Sequence, residues 1–258
     1  MATRDTAFET VGVLQDRIGF VEPLSERPME KRELVKKLDV SRSTVDRATR
    51  ELENAGLVNY SDGCFELTSL GQTATAEFAD VVDSIQLRQW LEPFLKWVPD
   101  SEFDAEIGWF REAELLVPEP GDPYSMINRH VEAMKDLEDG WFLLPFTGLH
   151  AAEAGHESIV EGGGSAELVV GPSVAETFQS NPEYVSVLEE AAATGRMTIF
   201  ASDKKAPFAL NKINDRLQII SSEGDEPRAL IETENDHVIE WAERVYKGYK
   251  QGSEQIIP

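Results

Sequence analysis

Apolar side chains recur at intervals of three and four residues near the start of the chain, the spacing of a helix that buries one face. The pattern predicts a first helix over residues 7–25, with its apolar positions at Phe8, Val11, Leu14, Ile18 and either Val21 or Leu24.

Two further helices are predicted on either side of a tight turn. Leu34, Val35 and Leu38 repeat at helical spacing, and Pro28 is expected to open this helix at about its first turn. Asp39-Val40 forms the turn, and Ser41 is a suitable N-cap for the helix that follows. The buried stripe of that following helix is predicted at Val45, Ala48, Thr49 and Leu52.

A hairpin is predicted next. Gly56 stands where a helix end needs a left-handed backbone, and two short apolar stretches then flank Ser61-Asp62-Gly63. Helix, turn, helix and hairpin in this order indicate a winged helix-turn-helix, whose second helix places its N-terminal residues in the major groove of DNA.

The outward face of that second helix carries the side chains that DNA recognition needs. Arginine can bind guanine O6 and N7 with two hydrogen bonds, and hydroxyl groups can bond phosphate or base. Residues 27–50 hold eight basic and four acidic side chains, a local charge of +4 in a chain of net charge −24. The residues predicted to contact DNA are Lys31, Lys36, Lys37, Ser41, Arg42, Ser43, Thr44, Arg47 and Arg50, with Ser61, Asp62 and Gly63 at the hairpin tip.

A family resemblance rests on these same residues. SRSTVDRATRELENAGLV, followed by a short strand and LTSLG, resembles the winged helix of archaeal, especially haloarchaeal, transcriptional regulators. Together with LQDRIGFVEPLSERPMEKREL and PRALIETENDHVIEWAERVYKGY, it resembles regulators that carry a domain first named in a methanogen filamentation (methanogenesis regulatory) protein. The resemblance spans almost the whole chain. It implies DNA binding by the head and a sensory role for the second domain, and it matches no ligand-binding residue.

A linker helix is predicted to follow the head. Its apolar stripe comprises Phe78, Val81 or Val82, Ile85, and Leu91 or Leu95, and Pro93 is expected to kink or end it. Because regulators usually read two half-sites, this helix is a candidate for homodimerisation. The predicted domains are residues 1–72 for the head, 73–98 for the linker and 99–258 for an effector-sensing domain.

The second domain alternates strand-like and helix-like stretches. Strands are expected at 113–117, 166–171 and 197–201, with a further apolar run at 141–145 and a hairpin formed by 217–221 and 228–232. A helix near 128–137 should turn Ile127, Val131 and Met134 inward, Ser173 should cap another, and Asn235 or Asp236 should cap the last. Two successive βα units favour a partly parallel sheet. The predicted fold class is an α+β winged helix-turn-helix N-terminal domain, a linker helix and a C-terminal α/β domain with a mixed sheet.

The distribution of charge modifies the picture of a DNA-binding protein. The chain has 24 basic and 48 acidic residues, but residues 1–75 carry only −3 and the remaining residues carry −21. An acidic coat of this kind is typical of a halophile, and at about 1 M salt the Debye length of about 3 Å confines repulsion to contact range. An acidic protein that binds another protein is the alternative by charge patterning.

Targeting and redox features agree with a cytoplasmic protein. There is no apolar run of the roughly 20 residues that span a bilayer, and the N-terminus lacks the apolar segment of a signal peptide. A single cysteine, Cys64, excludes an internal disulfide and is interpreted as a packing residue rather than a redox sensor.

Catalytic and metal-binding motifs are missing from the sequence. The four histidines show no HxxxH or HxK spacing, there is no CxxC or GxSxG, and Gly162-Gly163-Gly164 precedes a strand instead of joining a strand to a helix. We therefore expect no metal, no cofactor and no enzymatic activity. The residues proposed for a small-molecule effector site are Tyr124, Arg129, His130, His156, Phe208 and Arg228.

Two other functions stay open at this point. One is an enzyme acting on a small molecule with an appended winged helix, and the other is a winged helix that docks a protein.

Overall fold

A computed structural model describes residues 3–99 and 101–257. By its internal contacts the chain divides into two compact units, Met1–Gln86 and Leu87–Pro258. The helix that contains this division is the predicted linker; it spans Ser69–Leu95 and includes Pro93. The domain boundaries drawn from the sequence remain predictions.

The first unit contains helices and a small sheet in the predicted order. The helices are α1 (Arg4–Glu26), α2 (Lys31–Leu38), α3 (Arg42–Asn54) and the first part of α4 (Ser69–Leu95); the strands are β1 (Met29–Glu30), β2 (Val58–Ser61) and β3 (Cys64–Leu67). The strands form an antiparallel sheet in the order β1-β3-β2.

The start of α2 corrects one expectation. Pro28 does not open the helix, because Met29–Glu30 pairs with β3 as a short strand before the helix begins at Lys31. Glu30 is the N-cap, and it forms a capping box with Glu33, whose carboxylate accepts a hydrogen bond from the Glu30 backbone N–H at 2.8 Å.

The core of the first unit comes from the predicted apolar stripes. Val45, Ala48, Thr49 and Leu52 are all buried on α3, as predicted. The hydroxyl group of Thr49 donates to the backbone oxygen of Val45 at 3.0 Å, so this buried polar group is satisfied. The other fully buried members of this core include Leu14, Val21, Leu34 and Leu57.

Two tight backbone features define the hairpin and its contact with α4. Asp62 and Gly63 both have positive φ, 53° and 88°, which is the backbone of a type I′ turn between β2 and β3. At the start of α4, a Cβ on Gly71 would lie 1.9 Å from the backbone oxygen of Leu57. Only glycine fits this approach of helix to strand.

The second unit is built on a mixed sheet. Its strands are β4 (Glu114–Leu116), β5 (Asp139–Leu144), β6 (Ser165–Val170), β7 (Met197–Ala201), β8 (Phe208–Ile213), β9 (Arg216–Glu223), β10 (Glu226–Thr233) and β11 (Glu254–Ile257). Among the described residues they form one eight-stranded sheet, in the order β11-β7-β6-β5-β8-β9-β10-β4. β5, β6 and β7 are parallel, as the successive βα units predicted, and the other pairs are antiparallel.

Helices cover both faces of this sheet. They are α5 (Ser125–Lys135), α6 (Leu149–Val160), α7 (Pro172–Ser180), α8 (Pro182–Ala193) and α9 (Asp236–Lys250), with a 3-10 turn at Ile107–Phe110. Consecutive strand residues point to opposite faces. Val169 therefore joins the core that contains Trp241 of α9, while Leu168 and Val170 join the core beneath α5–α8.

Two predicted helix caps and one predicted buried position in this unit can be compared with the structure. Asn235 caps α9, as predicted, and accepts from the backbone N–H groups of His237 and Val238. Ser173 does not cap α7, because Pro172 is already the first helical residue and Gly171 is the N-cap. Ile127 is exposed, and its neighbour Met126 occupies the buried position on α5.

None of the helices in the described part of the chain has the length and the hydrophobicity needed to cross a bilayer.

Candidate functional site

The outward face of α3, with its N-cap, brings together half of the twelve residues predicted to contact DNA. Ser41 is the N-cap of α3, and its Oγ accepts a hydrogen bond from the backbone N–H of Thr44 at 3.1 Å. The same oxygen lies 2.8 Å from the hydroxyl groups of both Ser43 and Thr44. These residues are exposed, as are Arg42, Asp46, Arg47 and Arg50. The start of α3 therefore presents hydroxyl groups, arginines and free backbone N–H groups to solvent.

Some cations near this face already hold acidic partners. Lys31 forms an ion pair with Asp46, which ties α2 to α3. Lys37 pairs with Glu26 at 2.7 Å. Such exposed pairs contribute only about 0–1 kcal/mol each, so they can exchange for another anion at small cost.

Arg47 shares its acidic partner with α1. Its Nε donates to Glu51 Oε1 at 3.0 Å, and Nε of Arg17 donates to Glu51 Oε2 at 2.7 Å. The hydrogen bonds from Arg47 and then Arg17 lower the pKa of Glu51 below its ordinary value. Within the described residues Arg42, Arg50 and Lys36 carry no such pair, so they are the cations most available to an incoming anion.

The hairpin tip differs in charge from α3. Ser61, Asp62 and Gly63 are exposed there, as the prediction requires, but the one charged group among them is the carboxylate of Asp62. Tyr60, which sequence reasoning missed, is 58% exposed with its ring centroid 4.8 Å from that of Phe65. Strand alternation does not single it out, because Tyr60 lies on the same face of the hairpin as buried Val58 and directly opposite Phe65.

The second unit contains a largely apolar cavity of about 340 Å³ between α5, α6, α8 and one face of the sheet. Apolar lining residues include Met126, Phe142, Leu168 and Leu188. The polar or titratable side chains in the lining are His130, Thr147, His150, His156, Asn211 and Asp225.

The six residues proposed for an effector site are not brought together. His130 and His156 line the cavity. Tyr124 is 63% exposed just before α5, while Phe208 is fully buried in the core against Phe103 and Trp241. Phe208 is therefore a packing residue, because its strand is buried on both faces.

The two arginines of that set have their own partners. Arg228 pairs with Glu223 and Glu226 at 2.6 and 2.7 Å and lies over the ring of Trp97. Arg129 belongs to a separate polar pocket of about 280 Å³, whose lining includes Glu114, Arg216 and Glu232.

Asn211 is a buried polar residue of the cavity that sequence reasoning missed. It lies in β8 between Phe142 of β5 and Gln218 of β9, its direct register partners. The residue is 1% exposed, and its Oδ1 has no hydrogen-bond partner in the described part of the chain. A buried polar atom without a partner costs about 1–3 kcal/mol, so a buried, unpaired amide oxygen in an apolar cavity calls for a physical explanation.

A row of polar side chains leads from the cavity across the sheet. His130 Nδ1 lies 2.7 Å from Gln218 Oε1, and Gln218 Nε2 donates to Glu232 Oε2 at 2.8 Å. Glu232 is 6% exposed and also accepts from Arg129, with Arg216 at 3.5 Å. The row therefore connects the cavity with the arginine–glutamate pocket.

The donors and acceptors in this row have one consistent assignment. The Glu232 carboxylate can only accept, so Gln218 must donate its NH₂ group to it and turn its oxygen to His130. His130 then carries its proton on Nδ1 and has a free lone pair on Nε2. Burial lowers the pKa of His130, against a smaller opposing effect of the hydrogen bond to Gln218.

Glu232 stays ionised for a related reason. Burial alone would raise its pKa and is the largest single influence on it, but the hydrogen bonds from Arg129 and Gln218, together with the positive charges of Arg129 and Arg216, outweigh burial and lower the pKa. Within the described residues no three histidine, cysteine, aspartate or glutamate side chains are grouped so as to hold a metal ion.

Two family models match the chain. Residues 123–252 match the model described as "Methanogenesis regulatory protein FilR1, middle domain", and residues 6–89 match the model described as "HVO_A0261 N-terminal domain". No curated protein matches the chain.

Three solved structures with a similar fold are distant from this chain in sequence. TrmBL2, described as an archaeal chromatin protein with a novel mode of DNA binding, is 11% identical with a TM-score of 0.42, over 98% of this chain and 100% of that one. Nuc of Salmonella typhimurium, a phospholipase D family member, is 11% identical with a TM-score of 0.44, over 57% of this chain and 100% of that one. NucT from Helicobacter pylori is 14% identical with a TM-score of 0.45, over 56% of this chain and 99% of that one. Likeness at this level carries no functional conclusion.

Proposed function

Since the chain belongs to the family defined by the middle domain of the methanogenesis regulatory protein FilR1, we propose that it is a transcriptional regulator that binds double-stranded DNA through its first unit. In this proposal α2, the turn at Asp39 and α3 are a helix-turn-helix, and the β2–β3 hairpin is its wing. The recognition helix of such a domain places its N-terminal residues against base edges in the major groove.

The observation that carries this proposal is the division of α3 into two faces. Val45, Ala48, Thr49 and Leu52 fix the helix to its own unit, while Arg42 and Arg50 stand exposed without acidic partners among the residues that the structure describes. An unpaired arginine is free to bind guanine or phosphate without first giving up an ion pair.

Further contacts are assigned by charge. Lys36 is exposed and unpaired, and Lys31 and Lys37 can exchange Asp46 and Glu26 for phosphate. Phosphate contacts fix the register of a protein on the duplex without reading sequence. At the hairpin tip Ser61 and the backbone of Gly63 are the groups that would approach DNA.

The test is selection of duplexes from a random pool, followed by fluorescence anisotropy on a selected and a scrambled duplex over a range of KCl concentrations. A regulator should enrich a defined sequence and keep its preference for that sequence as salt rises. A protein-docking winged helix should enrich no sequence at any salt concentration, and that result would reject the proposal.

Homodimerisation through α4 is the second part of the proposal. Phe78 packs in the core of the first unit and Leu91 in that of the second, but Val81 and Ile85 are 56% and 52% exposed one helical turn apart. A second copy of the chain would cover these two side chains and set the spacing of two heads. We expect Val81→Ser with Ile85→Ser to give a monomer in analytical ultracentrifugation, and Leu70→Ser, at a residue 53% exposed on the same helix, to leave the dimer intact.

For the second unit we propose sensing rather than catalysis. The cavity supports this role because its lining is largely apolar, as in most small-molecule binding pockets. A compound that raises the melting temperature of the protein should be recovered unchanged after long incubation. Its conversion to a product would instead favour the enzyme alternative.

A further inference from the structure

The cavity of the second unit has the size of a site for a small metabolite. Its volume of about 340 Å³ lies at the lower end of the roughly 300–1,000 Å³ found for ligand pockets. At about 30 Å³ per water-sized group, it holds a molecule on the order of ten non-hydrogen atoms.

The lining sets the charge of such a molecule. The lining residues that the structure describes include no lysine and no arginine, so a carboxylate or phosphate group would find no permanently charged cation there. Its single carboxylate, Asp225, is exposed and already pairs with Lys205 at 2.7 Å. A buried charge without a partner is strongly disfavoured, and the geometry therefore selects an uncharged ligand.

The two deepest polar groups set the hydrogen-bonding pattern. Asn211 Oδ1 is an acceptor with no partner, and His130 has its lone pair on Nε2 because Nδ1 is committed to Gln218. Gln218 adjoins both residues, because it is the direct register partner of Asn211 and the hydrogen-bond partner of His130. Both groups need a hydrogen-bond donor.

We propose that the cavity binds an uncharged, mainly apolar small molecule with at least one hydroxyl or N–H group, which donates to Asn211 Oδ1 or His130 Nε2. The donor group of the ligand forms a hydrogen bond to the unpaired Oδ1 of Asn211, and the apolar part of the ligand packs on Phe142, Leu168 and Leu188. Its role as an effector of DNA binding rests on the proposed function, whereas the binding itself does not.

The test uses the full chain and pairs of probes that differ only in the donor group: phenol with toluene, indole with indene, and cyclohexanol with methylcyclohexane. Benzoate is the charged probe. Affinities are measured by ligand-observed NMR and calorimetry without DNA. We expect a preference of about tenfold or more for the donor-bearing member of at least one pair, with no binding of benzoate.

Two variants locate the site. Asn211→Leu removes the unpaired acceptor and should reduce the preference for the donor without weakening binding of the apolar partner. Ala152→Phe, at a half-buried lining residue, should weaken every probe by filling the cavity. The melting curve of each variant shows whether it is folded. If Asn211→Leu does not fold, the probe affinities of Ala152→Phe decide whether the probes bind in this cavity.

The outcomes separate this inference from the proposed function. Failure of all six uncharged probes to bind, equal affinity within every pair, or tighter binding of benzoate would each overturn the ligand class. Preferred binding of the donor-bearing probes by a protein that selects no DNA sequence would support the cavity and reject the regulator. Sequence-selective DNA binding without probe binding would support the regulator and reject the proposed ligand class of the cavity.

Discussion

The contrast between Arg42 and Arg47 gives a quantitative test of the DNA-binding face. If Arg42 reads a base, Arg42→Ala should cost about 1–3 kcal/mol on the selected duplex, which is about 5- to 150-fold in affinity. Arg47 begins from its i,i+4 pair with Glu51 at 3.0 Å. Such a pair is worth about 0.3–0.5 kcal/mol, and Arg47 must give it up to bind DNA. If Arg47 makes the same contact with a base, Arg47→Ala should therefore reduce the binding free energy by that much less than Arg42→Ala.

Fluorescence anisotropy on the selected and scrambled duplexes measures both effects. Arg42→Ala should lower affinity for the selected duplex more than for the scrambled one. Arg244→Ala, which removes an exposed arginine from α9 in the second unit, is the matched control and should change neither. Equal effects of Arg42→Ala and Arg244→Ala would refute the assignment of α3 as the recognition helix.

A uniform loss on both duplexes would have a different meaning. It would move Arg42 to the phosphate-binding class, and the slope of log affinity against log salt concentration would then become shallower by about 0.9.

Three further predictions concern the wing, the polar row and the α4 contact. Asp62→Lys should strengthen binding to all duplexes at low salt and steepen the salt slope by about 0.9 if the wing approaches phosphate; an unchanged slope in anisotropy titrations would place the wing away from DNA. The lowered pKa of Glu232 means that its contribution to stability is complete above the unfolded-chain value of about 4.3 and is lost as pH falls through the folded value. In urea unfolding, the stability difference between the wild type and Glu232→Gln should therefore shrink below that pH, and a constant difference would contradict the ion-pair assignment. Gly71→Ala should destabilise the first unit by about 1–3 kcal/mol because its Cβ would meet Leu57 O, whereas Gly19→Ala on α1, with nothing within 4 Å, should stabilise it by up to about 1 kcal/mol; thermal unfolding with the opposite order would refute the close approach.

The elements of the first unit follow from local sequence signals. Ser41 as a cap, the stripe that ends at Leu52 and the Asp62-Gly63 turn each act over a few residues, so the helices and hairpin could be predicted directly. Pro28 was misjudged because its fixed φ suits a helix start and an extended segment equally well. The pairing of Met29 with Phe65 across the sheet decided between them.

Less of the structure of the second unit could be predicted from the sequence. β8, Phe208–Ile213, was not predicted because it is buried on nearly every position and so shows no polar alternation. Asn211 and Lys212 inside it also resemble a turn. The cavity could not be predicted from a sequence motif either, because its lining residues are mostly apolar and are scattered between residues 126 and 227.

The site residues divide in the same way. The exposed positions of α3 could be chosen from helical periodicity alone. Asn211 could not, because its unpaired oxygen depends on neighbours from β5 and β9 that only the folded sheet supplies.

The polar row from His130 to Glu232 limits which amino-acid substitutions the protein can accept during evolution. His130 and Gln218 each donate a hydrogen bond in the direction of the carboxylate, so reversing one bond would leave two donors or two acceptors facing each other. A replacement of Gln218 is therefore tolerable only with matching replacements at His130 and Glu232. Among relatives, these three positions should be inherited as a block, and a chimaera that mixes two such blocks should fold poorly.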